Sequence, residues 1–72
     1  MSPETIRQRI QAVLPDSTVE TIGADCNFTV IVTSAEFEGK PQIKRHRIVN
    51  DIFKADIESG ALHALSIKTL TP

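Results

Sequence analysis

Apolar residues recur at Ile6, Ile10, Val13 and Leu14, the spacing of one face of a helix. Ser2 and Pro3 stand just ahead, where a serine side chain caps free backbone N–H groups and proline tolerates the first helical position, and Pro15 ends the run. Arg7, Arg9 and Gln11 make the polar side. The pattern then changes period. Ser17 to Ile22 and Phe28 to Thr33 are rich in β-branched residues and alternate, which predicts two strands joined through Gly23-Ala24-Asp25-Cys26 into a hairpin. Phe28, Val30 and Val32 share one face of the second strand, with Thr29, Ile31 and Thr33 on the other.

Ser34 to Lys40 reads as a polar connection closed by Gly39. Pro41 is placed to open a second helix with Ile48, Val49, Ile52 and Phe53 on adjacent turns, joined by Ile43. Ala55 to Ser59 predicts a short further helix ended by Gly60, and a final strand follows with Leu65 and Ile67 on its apolar side. The order α-β-β-α-α-β predicts an α+β fold, a three-stranded sheet with helices covering one face. A helical crossover of this length lets the third strand run parallel to the second, with the right-handed connection expected, so the sheet is mixed.

At 72 residues the chain is one domain, residues 1–72, because so short a chain buries only about 60% of its unfolded surface and cannot support a second core. A net charge of −1 excludes a global pull toward nucleic acid or an anionic membrane and leaves local patches to argue from. One cysteine cannot form an internal disulfide, so nothing requires an oxidising compartment. No apolar stretch approaches the roughly 18 residues of a membrane span and no signal-like run opens the chain, so a cytoplasmic protein without membrane attachment is expected.

Two soft ligands hold similar places. Cys26 immediately precedes the second strand, and His63 heads the run Ala64-Leu65-Ser66-Ile67-Lys68-Thr69. Taken alone, a single cysteine is most often a small buried hydrophobe, and a histidine at a strand head is most often a surface or hydrogen-bonded residue. The two are too far apart in sequence for a local zinc-binding spacing. A Cys26 nucleophile with His63 as base is the one enzymatic arrangement to weigh, and the chain shows neither a Gly-rich phosphate loop nor a Ser-His-Asp set, so a non-enzymatic protein is expected. Asp51, Asp56 and Glu58 read as a solvated helix surface.

Lys40, Lys44, Arg45, His46 and Arg47 cluster at the start of the second helix. Helix starts favour acidic residues because the dipole is positive there, so these cations need another reason; a solvated surface, intramolecular ion pairs and contact with a partner all remain open. His46 between arginines is a poorer cation ligand than His63.

Three blocks carry a resemblance: Phe37-Glu38-Gly39-Lys40-Pro41, Lys44-Arg45-His46-Arg47-Ile48-Val49-Asn50, and Leu62-His63-Ala64-Leu65-Ser66-Ile67-Lys68-Thr69-Leu70-Thr71-Pro72. In this order and separation they resemble the BolA family, most nearly its cytosolic branch, whose members pair with monothiol glutaredoxins. The resemblance runs over nearly the whole chain and implies a class II KH-like fold. It implies that His63 is a cluster ligand, that Cys26 is the other candidate ligand, and that the Arg-His-Arg block lies near the partner face. The implied cofactor is a 2Fe-2S cluster bridged to a monothiol glutaredoxin, completed by the glutaredoxin cysteine and the glutathione thiol; the isolated domain is then a cluster-free monomer.

Imidazole replacing thiolate on an iron raises the reduction potential, so mixed ligation would alter the poise or exchange of the cluster in keeping with iron sensing or cluster delivery. The alternative is a nucleic-acid-binding regulator using the basic patch from Lys40 to Arg47. It is disfavoured because the Gly-x-x-Gly loop of KH domains is missing and no exposed aromatic platform accompanies the cations. Members of the family commonly continue past Thr-Pro with acidic residues and a tryptophan, where this sequence has Thr71-Pro72 at its end.

Overall fold

A computed structural model describes residues 2–24 and 27–72. The elements run α1 (Pro3–Val13), β1 (Thr18–Ala24), β2 (Asn27–Thr33), a 3-10 turn (Ala35–Phe37), α2 (Gln42–Ile52), α3 (Lys54–Ser59) and β3 (Ala64–Leu70). Local chemistry explains the boundaries. The Ser2 side chain accepts from the Thr5 N–H to cap α1, Pro41 occupies the N-cap of α2, and Gly60 closes α3 in the left-handed region at φ 84°.

The sheet has the order β1-β2-β3, with β1 antiparallel to β2 and β3 parallel to it. The strands extend further into the hairpin than alternation alone indicated, since Gly23 and Ala24 pair with Phe28 and Asn27. Alternation along β2 points Phe28, Val30 and Val32 to the helix-covered face, where all three are buried. Ile6 and Ile10 of α1 and its C-cap residue Leu14 meet them, with Val49, Phe53 and Leu62 from the second half of the chain. Leu65 and Ile67 of β3 pack at the margin of this core and are half-buried.

Four expectations need correction. Val13 is 53% exposed and Ile43 is 68% exposed, so neither joins the core: Val13 is the last residue of α1, at the edge of its buried stripe, and Ile43 lies about 120° round α2 from the buried Val49. The segment from Ser34 to Lys40 is not merely a polar connection, because its 3-10 turn buries Phe37 completely. Asp56 is not a solvated surface residue; it is partly buried and pairs with Arg9 from the polar side of α1. Arg9 also donates from Nη2 to the Ile52 carbonyl at 2.8 Å and lies 4.9 Å over the Phe53 ring, so its stem and head group cover the junction of α2 and α3.

The far end of the sheet is tied by Asp16. Its carboxylate accepts from the Ser34 hydroxyl at 2.9 Å and the Ala35 N–H at 2.9 Å, while the Ser34 N–H donates to the Leu70 carbonyl at 3.0 Å. One acidic side chain thereby joins the end of α1 to the exit of β2.

Candidate functional site

His63 is exposed and immediately precedes β3. Leu62 beside it is buried, and its N–H donates to the Asp56 carbonyl at 3.1 Å, so the chain is anchored one residue before the imidazole. No hydrogen bond among the described residues engages the ring. The parallel ladder starts by pairing Asn27 with Ala64, so His63 immediately precedes the residue opposite Asn27. Cys26 is the sequence neighbour of Asn27, and it lies outside the described residues. Among the described residues no three His, Cys, Asp or Glu side chains gather as a metal site.

The five residues of the basic block do not share one surface. Lys40 donates through Nζ to the Glu36 carbonyl, and Arg45, partly buried, donates from Nε to the Lys40 carbonyl at 2.7 Å, so both bind back onto the loop before α2. Lys44 is exposed and lies off the groove described next. His46 and Arg47 instead line an open groove of about 540 Å³ between α2 and β3, with Ile43, Asn50, Lys54 and Ile67. Asp51 adds an acidic group to the same wall.

Lys54 and Asn50 lie outside the basic block in sequence, yet the spacing Ile43, Arg47, Asn50, Lys54 marks a second stripe along α2 and into α3. That stripe was the available signal, masked by the stronger apolar one. The groove is closed at one end, where Thr69 is buried and its hydroxyl bonds the Gln42 side chain at 2.8 Å.

Among titratable groups Asp16 is perturbed: the Ala35 backbone N–H, and then the Ser34 hydroxyl, hold its carboxyl below the usual carboxylate range. It lies at the opposite end of β2 from His63, so its role is in the fold.

A three-stranded mixed sheet in the order antiparallel then parallel, with α1, α2 and α3 on one face, is a class II KH-like α+β domain. Residues 7–72 match the family model described as BolA-like protein, and the chain belongs to that family. BolA-like protein 2 from Homo sapiens is 39% identical over 77 aligned residues, which span 100% of this chain and 87% of the relative. The solved BolA domain of SufE1 from Arabidopsis thaliana superposes with a TM-score of 0.84 at 29% identity, covering 100% of this chain and 95% of that one. A bolA protein homologue from Coxiella burnetii gives a TM-score of 0.84 at 34% identity, with 100% and 92% covered. No described helix is long and apolar enough to cross a membrane.

Proposed function

We propose that the protein is a non-enzymatic iron–sulfur helper that binds a monothiol glutaredoxin and shares a bridging 2Fe-2S cluster with it and with glutathione. The observation that carries this reading is His63, exposed beside an anchored Leu62, in register next to the residue that faces Asn27. An imidazole on a strand mouth is held by the backbone rather than by its own side-chain bonds, which suits a donor that must meet a group brought by another protein. Membership of the BolA-like family, and a relative of known structure that is a BolA domain within SufE1, support a place in iron–sulfur biology.

His63 would supply an imidazole to one iron, and Cys26 is the second candidate ligand from this chain. Bound in that way, the cluster would carry mixed nitrogen and sulfur ligation, which shifts its potential upward relative to all-thiolate ligation. The cytosolic branch of the family, and the cytoplasm as its place of work, fit the Phe37-Glu38-Gly39-Lys40-Pro41 block and the lone cysteine.

The rival reading, a nucleic-acid-binding regulator using the patch from Lys40 to Arg47, finds less support because Lys40 and Arg45 are engaged by carbonyls of the preceding loop.

Anaerobic reconstitution with a monothiol glutaredoxin, glutathione, ferrous iron and sulfide tests the proposal, read by visible absorption and circular dichroism. The wild-type mixture should give a spectrum distinct from the glutaredoxin homodimer. His63→Ala should lose that spectrum, Cys26→Ser should perturb it less, and His46→Ala should retain it. Identical spectra for wild type and His63→Ala would overturn the assignment.

A further inference from the structure

The third strand lies at the edge of the sheet, and its backbone can be traced group by group. The Ser34 N–H donates to the Leu70 carbonyl, so Leu70 turns its polar backbone toward β2. Alternation then turns Ser66 and Lys68 the same way and sends the N–H and C=O groups of Leu65, Ile67 and Thr69 outward. Thr69 is buried, with its hydroxyl on Gln42, and this closes the edge there. Leu65 and Ile67 are only half-buried, and among the described residues no backbone bond outside the ladder engages them. The edge is lightly protected: β3 holds no proline, and its one lysine, Lys68, pairs with Ile31 on the face away from the helices.

Directly beside this edge runs the groove walled by Ile43, His46, Arg47, Asn50 and Lys54, with Ile67 as its β3 side. Arg47 and Lys54 outnumber Asp51, so the wall is net positive. Ile43, 68% exposed, supplies an apolar contact on the same wall.

We propose that the edge of β3 at Leu65 and Ile67 accepts an extended acidic segment of a partner protein as a fourth strand, its alternate carboxylates facing Arg47 and Lys54. Outward N–H and C=O groups require an occupant that both donates and accepts along its backbone. A peptide does so at every second residue, whereas a phosphodiester chain only accepts. Phe, Tyr and Trp, the stacking platforms that single-stranded nucleic acid uses, are missing from the groove wall. Backbone pairing supplies the affinity and the positive wall selects sign, a division common to strand addition. The surface uses neither His63 nor Cys26, so it stands independently of the iron–sulfur reading.

The probe is a capped octapeptide alternating glutamate and valine, titrated into isotope-labelled protein and followed by amide shifts, with fluorescence anisotropy for affinity. The amides of Leu65 and Ile67 should shift saturably. The Arg47→Glu, Lys54→Glu double variant should bind at least about tenfold more weakly, as should a lysine–valine peptide on the native protein. N-methylation of the peptide's alternate amides should abolish binding. Lys68→Glu, on the opposite face, should leave the affinity within about twofold. Absence of saturation at millimolar peptide, equal affinity for the lysine peptide, or shifts mapping away from β3 would overturn the proposal. Tighter binding of an oligothymidylate at the same residues would overturn it in favour of nucleic acid.

Discussion

Arg9 of α1 and Asp56 of α3, 47 residues apart, form an ion pair that fastens the first helix to the connection between the second and third strands. Because Arg9 also caps the Ile52 carbonyl and covers the Phe53 ring, one side chain holds the segment that delivers Leu62 and His63 to the start of β3.

Arg9→Ala should destabilise the domain by about 1–2 kcal/mol, a sum of lost packing, one charge-assisted hydrogen bond and a partly exposed ion pair. Urea unfolding measures it. A double-mutant cycle with Asp56→Ala should assign only about 0.5–1 kcal/mol to the pair itself, the rest belonging to Phe53 and Ile52.

Stability should depend on Asp16 in acid. Its folded pKa is lowered by the Ala35 N–H and the Ser34 hydroxyl, so its contribution is fully present above the unfolded carboxylate value near 3.8 and disappears as pH falls through the lower folded value. Asp16→Asn should therefore be less stable than wild type at neutral pH, and the difference should shrink toward pH 2. Thermal unfolding across that range checks the sign: a gap that widens on acidification would refute it.

Two glycines should respond differently to alanine. At Gly23, φ 114°, an added Cβ would lie 2.4 Å from the Asn27 carbonyl oxygen, so backbone must shift, and Gly23→Ala should cost about 2 kcal/mol or more. At Gly60, φ 84°, nothing lies within 4 Å of the added atom, and the cost should stay near 1 kcal/mol, the left-handed strain alone. Chemical denaturation of both variants reads the order, and Gly23→Ala should also weaken any function of the adjoining hairpin.

Phe37→Ala should cost about 3–5 kcal/mol, the value of emptying a fully buried aromatic site, while Ile43→Ala should change stability by less than about 0.5 kcal/mol. Equilibrium unfolding of the pair tests whether the 3-10 turn is part of the core.

These residues also mark how far the sequence could be read. Ile6, Ile10, Phe28, Val30 and Val32 were legible because one local period sends each to the same face, and Gly60 was legible because a helix end needs a left-handed residue there. The parallel third strand followed from the length of the helical crossover. Phe37 was not legible, since a three-residue turn has no period to detect and its burial depends on the far end of the sheet. Arg9 and Asp56 meet only through tertiary packing, so each looked like an ordinary surface charge. The block from Lys40 to Arg47 read as one patch because neighbours in sequence are not neighbours on a helix surface: consecutive positions diverge by about 100°. Lys54 entered the groove for the converse reason. His63 was placed correctly at a strand mouth; the position of Cys26 relative to it lies outside the described residues.

The Asp16, Ser34 and Leu70 bonds and the buried Phe37 gather at one end of the sheet, while His63 stands at the other beside the lightly tied residues Gly60 and Ala61. Resistance to opening is therefore graded along the strands: amide exchange should be slowest near Val32 and Leu70 and fastest approaching Ala64. Any adjustment of the histidine end would draw on the least protected part of the domain, with the tied end keeping the fold intact.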